Sequence, residues 1–130
     1  QCKALAQLVG KKEKDIHFAL IENAADIVPN SKEWLGGFRE MWRSCGYQLH
    51  RIDLRNRLTH RKGLYEALAT HDVIWVGGGH TYYLRWLLKA TGADRMIQRL
   101  VAEGKVYAGW SAGAVAAGPT LQHFEEMGDD

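Results

Sequence analysis

Twice in this chain a short apolar run ends in a glycine-rich turn and passes straight into a segment of helical periodicity. The first run is Val73-Ile74-Trp75-Val76, followed by Gly77-Gly78-Gly79. The second is Val106 to Trp110, followed by Ser111, with Gly109 and Gly113 on either side. A strand that feeds a helix returns to its sheet by a crossover rather than a hairpin. Repeating that unit builds a parallel sheet with helices packed on it.

The rest of the chain continues the alternation. Residues 3–9 read as a helix with Leu5 and Leu8 on one side, and Ile16 to Ile21 as a strand. Asn30 is expected to cap the next helix, with Glu33 reaching back in a capping box. Trp34, Leu35, Phe38, Met41, Trp42 and Cys45 then recur at helical spacing as one apolar stripe, and Gly46 ends the helix. Tyr47 to Leu54 reads as a second strand and residues 61–70 as a short helix around Leu64 and Leu68. Val73 to Val76 is the third strand. Tyr83, Leu84, Leu87 and Leu88 mark one helix, and Met96, Ile97, Leu100 and Val101 mark another after Gly92. Gly104 breaks it, Lys105 to Trp110 forms a fourth strand, and Ala112 to Ala117 a helix of small residues. The fold class expected is α/β, a doubly wound, mostly parallel sheet in a three-layer sandwich, with chemistry gathered beyond the carboxyl ends of the strands.

Composition narrows the function classes. The 130 residues suffice for one domain, so residues 1–130 are read as a single α/β domain. A net charge of +2 does not point to nucleic acid or to a membrane surface. Lys11, Lys12 and Lys14 are interrupted by Glu13 and read as a solvated turn. No run approaches the roughly 20 apolar residues of a membrane span, and no leader pattern is present. Cys2 and Cys45 lie in no CxxC pair; reduced thiols, with Cys45 in the core, fit a cytoplasmic protein. The chain opens on Gln1 inside a helical segment and is expected to be part of a longer polypeptide.

Gly109-Trp110-Ser111-Ala112-Gly113 has the form G-x-S-x-G. Small residues two before and two after the serine let a strand and helix meet closely. The hydroxyl is then held out at the top of the sheet, and the amide after it can donate to an oxyanion at the start of the helix. A tight glycine turn with a bystander serine is the alternative. Gly77 to Gly79 could cradle a phosphate at a helix start. However, no Gly-Lys-Ser/Thr follows, and Tyr82 stands where the last glycine of a dinucleotide fingerprint belongs. The other reading is a close-approach loop that supplies a second oxyanion donor.

Together, Val-Gly-Gly-Gly-His-Thr-Tyr at 76–82 and Gly-Trp-Ser-Ala-Gly-Ala at 109–114, with Pro119 and Thr120 after them, resemble peptidase family S51, the dipeptidase E and cyanophycinase family. The 34 residues from Gly77 to Ser111 match the family spacing. The resemblance implies a fold related to class I glutamine amidotransferases, with serine in place of their cysteine. It implies Ser111 as nucleophile and the backbone amides of Gly79 and Ala112 as oxyanion donors, with no metal or cofactor. It also implies a short peptide substrate, with N-terminal aspartate as the expected preference. The acidic member of the triad maps onto Glu126, with Glu125 the near alternative and Asp129 and Asp130 weaker ones. A homo-oligomer is left open.

The family's histidine is expected beyond Asp130, and the segment that usually contacts the substrate carboxylate and a family-like first strand before residue 3 are expected to be missing from these residues. An incomplete triad makes a catalytically inactive member, acting as a binding module, the competing reading. His123 and His80 are weaker candidates for the base. His80 replaces the asparagine or aspartate usual after the triple glycine, so it could instead tune substrate selection. His17, His50, His60 and His71 read as surface or strand residues.

Overall fold

The computed structural model describes residues 2–110 together with Gly113. Helix α1 (Cys2–Val9) precedes strand β1 (His17–Ile21), and helix α2 (Ser31–Ser44) leads to strand β2 (Gln48–Arg51). Helix α3 (Leu64–Ala69) and strand β3 (Val73–Val76) follow. The consecutive helices α4 (Thr81–Thr91) and α5 (Ala93–Ala102) then lead to strand β4 (Val106–Gly109). The four strands form one parallel sheet in the order β2-β1-β3-β4. The chain crosses from β1 outward to β2, then back over β1 to β3. The switch point, where such folds place their ligands, therefore lies between β1 and β3.

Alternation along the central strands divides the core in two. Phe18, Leu20, Val73 and Trp75 face α1 and α2, where they meet Ala6, Tyr47, Phe38 and Trp42. Ala19, Ile21, Ile74 and Val76 face α3, α4 and α5, where Leu64, Leu68, Leu84, Leu87, Ile97 and Leu100 cover them. Both faces are covered, which is why β1 and β3 are apolar at nearly every position. Each fully buried side chain, such as Phe18 or Leu84, contributes about 1.5–3 kcal/mol relative to exposure. The expectation of a doubly wound parallel sandwich holds.

Several local expectations need correction. Asn30 takes the left-handed conformation (φ 59°, ψ 25°) and makes no side-chain capping bond, so the Asn30–Glu33 box does not form. A capping residue must be extended for its side chain to reach the helix amides. Ser31 instead ties the helix start to the preceding loop, its hydroxyl donating to the Ala25 carbonyl. Met41 is exposed and falls outside the apolar stripe. Strand β2 stops at Arg51 because Asp53 starts a 3₁₀ turn, its carboxylate accepting from the Arg55 amide.

The cysteines depart furthest from expectation. Cys2 and Cys45 form a disulfide, with Cα atoms 5.6 Å apart, inside the usual range. It pins α1 to the end of α2, next to the Tyr47 hydroxyl, which donates to the Cys2 carbonyl. Structural disulfides belong to oxidising surroundings, so the cysteines lend no support to a cytoplasmic setting. Among the described residues, no helix is long and apolar enough to cross a membrane.

Three of the four histidines read as surface or strand residues meet. His17 and His50 stack at 5.3 Å between ring centroids, and His71 stands 4.9 Å from His50. Burial lowers the His71 pKa below its ordinary value. Its bond to the Ala67 carbonyl opposes that shift, and His50 and His17 reinforce it.

The disulfide closes a loop across 43 positions. Reduction, or Cys2→Ser, is expected to lower unfolding free energy by about 2–4 kcal/mol. Urea denaturation with and without reductant measures this; identical midpoints, or two free thiols by mass spectrometry, contradict it.

Candidate active site

Strand order places three loops side by side at the carboxyl edge of the sheet. They are residues 22–26 after β1, residues 77–80 after β3, and Trp110 after β4. Backbone bonds lock them together. The Gly77 amide donates to Ile21 at 2.9 Å, the His80 amide to Ala24 at 2.7 Å and the Trp110 amide to Val76 at 3.1 Å.

Two glycines make this closeness possible. Gly79 has φ 146°, and a β-carbon there would lie 2.2 Å from the Ala24 carbonyl oxygen. At Gly113 a β-carbon would lie 2.0 Å from the Val76 carbonyl oxygen and 3.2 Å from that of Gly77. Each contact is with backbone, which cannot swing aside. Gly113 is buried and helical; its amide donates to the Trp110 carbonyl at 3.0 Å, and its carbonyl accepts from the Tyr107 hydroxyl at 2.7 Å. The residue that closes the G-x-S-x-G segment is thus seated on the strand end that opens the glycine loop.

Gly79 is exposed, and among the described residues its amide has no hydrogen-bond partner. It lies at the amino end of α4, where unpaired amides and the helix dipole favour negative charge. His80 caps that helix: its Nδ1 accepts from the Tyr83 amide at 3.1 Å, so in the neutral ring the proton sits on Nε2. Trp110 walls the opposite side, packed on Phe38 at 4.7 Å and Trp34 at 5.9 Å.

Of the site residues expected from sequence, Gly79 lies just before α4, against the Ala24 carbonyl. Ser111, Ala112, His123, Glu125, Glu126, Asp129 and Asp130 lie outside the described residues.

A polar network beside this edge was not anticipated. Asn23 is buried, and its amide donates to Asp26 at 2.9 Å and to Asp53 at 3.0 Å, while its oxygen accepts from the Leu54 amide at 3.0 Å. Hydrogen bonds from the Arg55 side chain hold the Asp53 carboxyl down at about 2, against the upward push of burial, and the Asn23 bond adds to the lowering. Tyr83 donates to Asp26 at 2.8 Å; burial first, and then this carboxylate, push its phenol up to about 12. Glu22 is buried with Arg39 in a two-pronged bond (2.9 and 2.7 Å) and Arg51 at 3.0 Å. The only sequence signal for this network was a charged segment directly after each of β1 and β2.

Gly79→Ala and Gly113→Ala are each expected to cost on the order of 3 kcal/mol, since backbone must move to admit the methyl group. Gly36→Ala, in open space inside α2, is expected to stabilise by about 0.5–1 kcal/mol. Thermal unfolding of the three variants checks the contrast; similar midpoints for all three contradict the close packing.

Comparison with known proteins supplies the lineage. The family model for peptidase family S51 matches residues 2–130. An uncharacterized peptidase of Listeria innocua is 45% identical over 61 residues, which cover 47% of this chain and 29% of that protein. Peptidase E of Shewanella amazonensis is 34% identical over 94 residues, covering 65% of this chain and 40% of the relative. The crystal structure of a candidate Peptidase E of Listeria monocytogenes superposes with a TM-score of 0.74 at 27% identity, covering 97% of this chain and 60% of that one. A peptidase from an acI-B1 actinobacterium shares the fold at 21% identity and a TM-score of 0.65, over 87% of this chain and 49% of that one. The matches thus span less than half the length of these curated relatives. With the family model spanning nearly its whole length, the chain belongs to peptidase family S51.

Proposed function

We propose that the full-length protein is a serine exopeptidase that hydrolyses short peptides, with Ser111 as its nucleophile. The observation that carries this reading is the seating of Gly113 on the Val76 carbonyl beside exposed Gly79, whose amide has no partner among the described residues. Such packing supports a serine turn close to a main-chain donor, as acyl transfer requires.

In this reading the Ser111 hydroxyl attacks the scissile carbonyl and gives its proton to a histidine beyond Asp130. The carbonyl oxygen, now negative, is held by the amides of Gly79 and Ala112. The histidine returns the proton to the leaving amine as the acyl-enzyme forms, and water then releases the acid by the reverse sequence. Glu126 orients the histidine. The glycine triplet keeps side chains out of the space that the tetrahedral carbon needs. Family membership supports short peptides, among them those with N-terminal aspartate, as the substrate class. No step calls for a metal or cofactor. A cytoplasmic location belongs to the same proposal, and the Cys2–Cys45 disulfide weighs against it.

Ser111→Ala in the full-length protein is expected to reduce kcat by about 10⁴-fold or more. The unaltered protein is expected to take up one aryl phosphonate on Ser111, read by peptide mass mapping. Undiminished turnover in the variant, or no labelling at Ser111, overturns the assignment.

A further inference from the structure

We propose that His80 is a positioning residue for the oxyanion site: its ring, as the cap of α4, holds the Gly79 main chain in place, and proton uptake by the ring releases that hold. This rests on the peptidase reading above, which gives the Gly79 amide its role.

His80 stands between two different backbone states. Gly79 before it has φ 146°, a conformation that strains any residue with a side chain. Thr81 after it begins α4, while His80 itself is extended (φ −87°, ψ 111°). Hydrogen bonds on its amide, carbonyl and ring fix it there. The amide donates to the Ala24 carbonyl at 2.7 Å, and the carbonyl accepts from the Leu84 amide at 3.1 Å. The ring Nδ1 accepts from the Tyr83 amide at 3.1 Å. Tyr83 is tied in turn to the loop after β1, its hydroxyl donating to Asp26 at 2.8 Å. Gly79 is thus set against Ala24 on one side and joined on the other to a residue that the first turn of α4 grips by its ring.

The cap is particular to this helix. The residues that start α2, α3 and α5 make no side-chain bond to their helices. A side chain is spent on the first turn of α4, the helix whose start adjoins the candidate oxyanion donor. Loss of a capping bond shifts the equilibrium at a helix end by roughly fivefold.

The bond also fixes what the ring can do. Nδ1 needs its lone pair to accept from Tyr83, so the neutral ring carries its proton on Nε2. While it caps, the ring has no spare lone pair with which to take a proton from Ser111, and its contribution runs through the main chain. Protonation of Nδ1 sets a donor against the Tyr83 donor, and the cap is lost. Histidine side chains exchange this proton between about pH 5 and 8. Asparagine is also a good cap and has no such proton to exchange.

Tyr82 and Arg85 are the other ionisable residues in the first turns of α4, with the Tyr82 ring 6.3 Å from that of His80. The loop after β1 brings Glu22, paired with Arg39 and Arg51, and Asp26, which meets Asn23, Tyr83 and Arg55. Among the described residues none of these groups bonds to the His80 ring, so the Tyr83 amide is the partner that its protonation controls.

The test uses the full-length protein and its His80→Ala and His80→Asn variants. His80→Ala is expected to lower kcat for Asp-Leu about fivefold to tenfold with KM changed by less than about twofold, because the displaced donor acts on the transition state. His80→Asn is expected to recover most of that loss. Between roughly pH 8 and roughly pH 5, kcat of the unaltered protein is expected to fall about fivefold further than that of His80→Asn, whose cap takes up no proton. Unchanged kcat in His80→Ala, a His80→Asn variant as impaired as His80→Ala, or parallel pH profiles overturn the proposal. NMR of the Ser111→Ala protein reads the cap apart from catalysis. Adding His80→Ala, or lowering the pH, is expected to cut the exchange protection factor of the Tyr83 amide about fivefold and to shift the Gly79 amide resonance with it, whereas adding His80→Asn preserves both. That pattern supports the positioning role even if Ser111 proves not to be the nucleophile, and a Gly79 resonance indifferent to His80 rejects it.

Discussion

Main chain packed on main chain, with no side chain between, is the constraint on which this molecule turns. Gly79 lies against the Ala24 carbonyl and Gly113 against that of Val76, each too close to admit a β-carbon. Everything chemical in the account hangs on those two contacts. They draw the loops after β1, β3 and β4 into a single edge, and they leave the Gly79 amide at the head of α4 with no partner among the described residues. The parallel sheet makes the contacts available, because its strands all deliver their loops to the same side. The glycines make them close.

The surrounding architecture protects that edge. Helix α2 carries Trp34 and Phe38 onto Trp110, so the β4 end is held from outside the sheet. On the other flank, Tyr83 in the first turn of α4 reaches Asp26, and Asn23 links Asp26 to Asp53 beyond β2. The loop after β1 is therefore fixed from three directions, and Ala24 presents its carbonyl to Gly79 without freedom to retreat. Buried polar side chains of this kind are costly when unpaired. Here Asn23 has every donor and acceptor matched, which makes the loop rigid rather than fragile.

Much of the scaffold was legible from periodicity. Val73–Val76 and Thr81–Thr91 needed nothing beyond a buried apolar run and a helical stripe, and the alternation of elements implied a parallel sheet. The glycine triplet was legible as a close-approach loop because three adjacent residues lacked side chains at a strand end. What escaped depended on partners distant in sequence. The Cys2–Cys45 bond joins positions 43 apart, and no spacing rule pairs two lone cysteines. Asn23 and Asp53 meet only because β1 and β2 are neighbours. Asn30 misled because asparagine both caps helices and tolerates left-handed backbone, and the loop imposed the second role. His80 was singled out by its place in the motif, yet its use as a helix cap follows from local geometry alone.

The most direct measurement is a crystal structure of the full-length protein with a phosphonate bound to Ser111. The account predicts a phosphoryl oxygen within about 3 Å of both the Gly79 and Ala112 amide nitrogens. An adduct whose oxygens face bulk water, with the Gly79 amide turned away or bonded elsewhere, contradicts it.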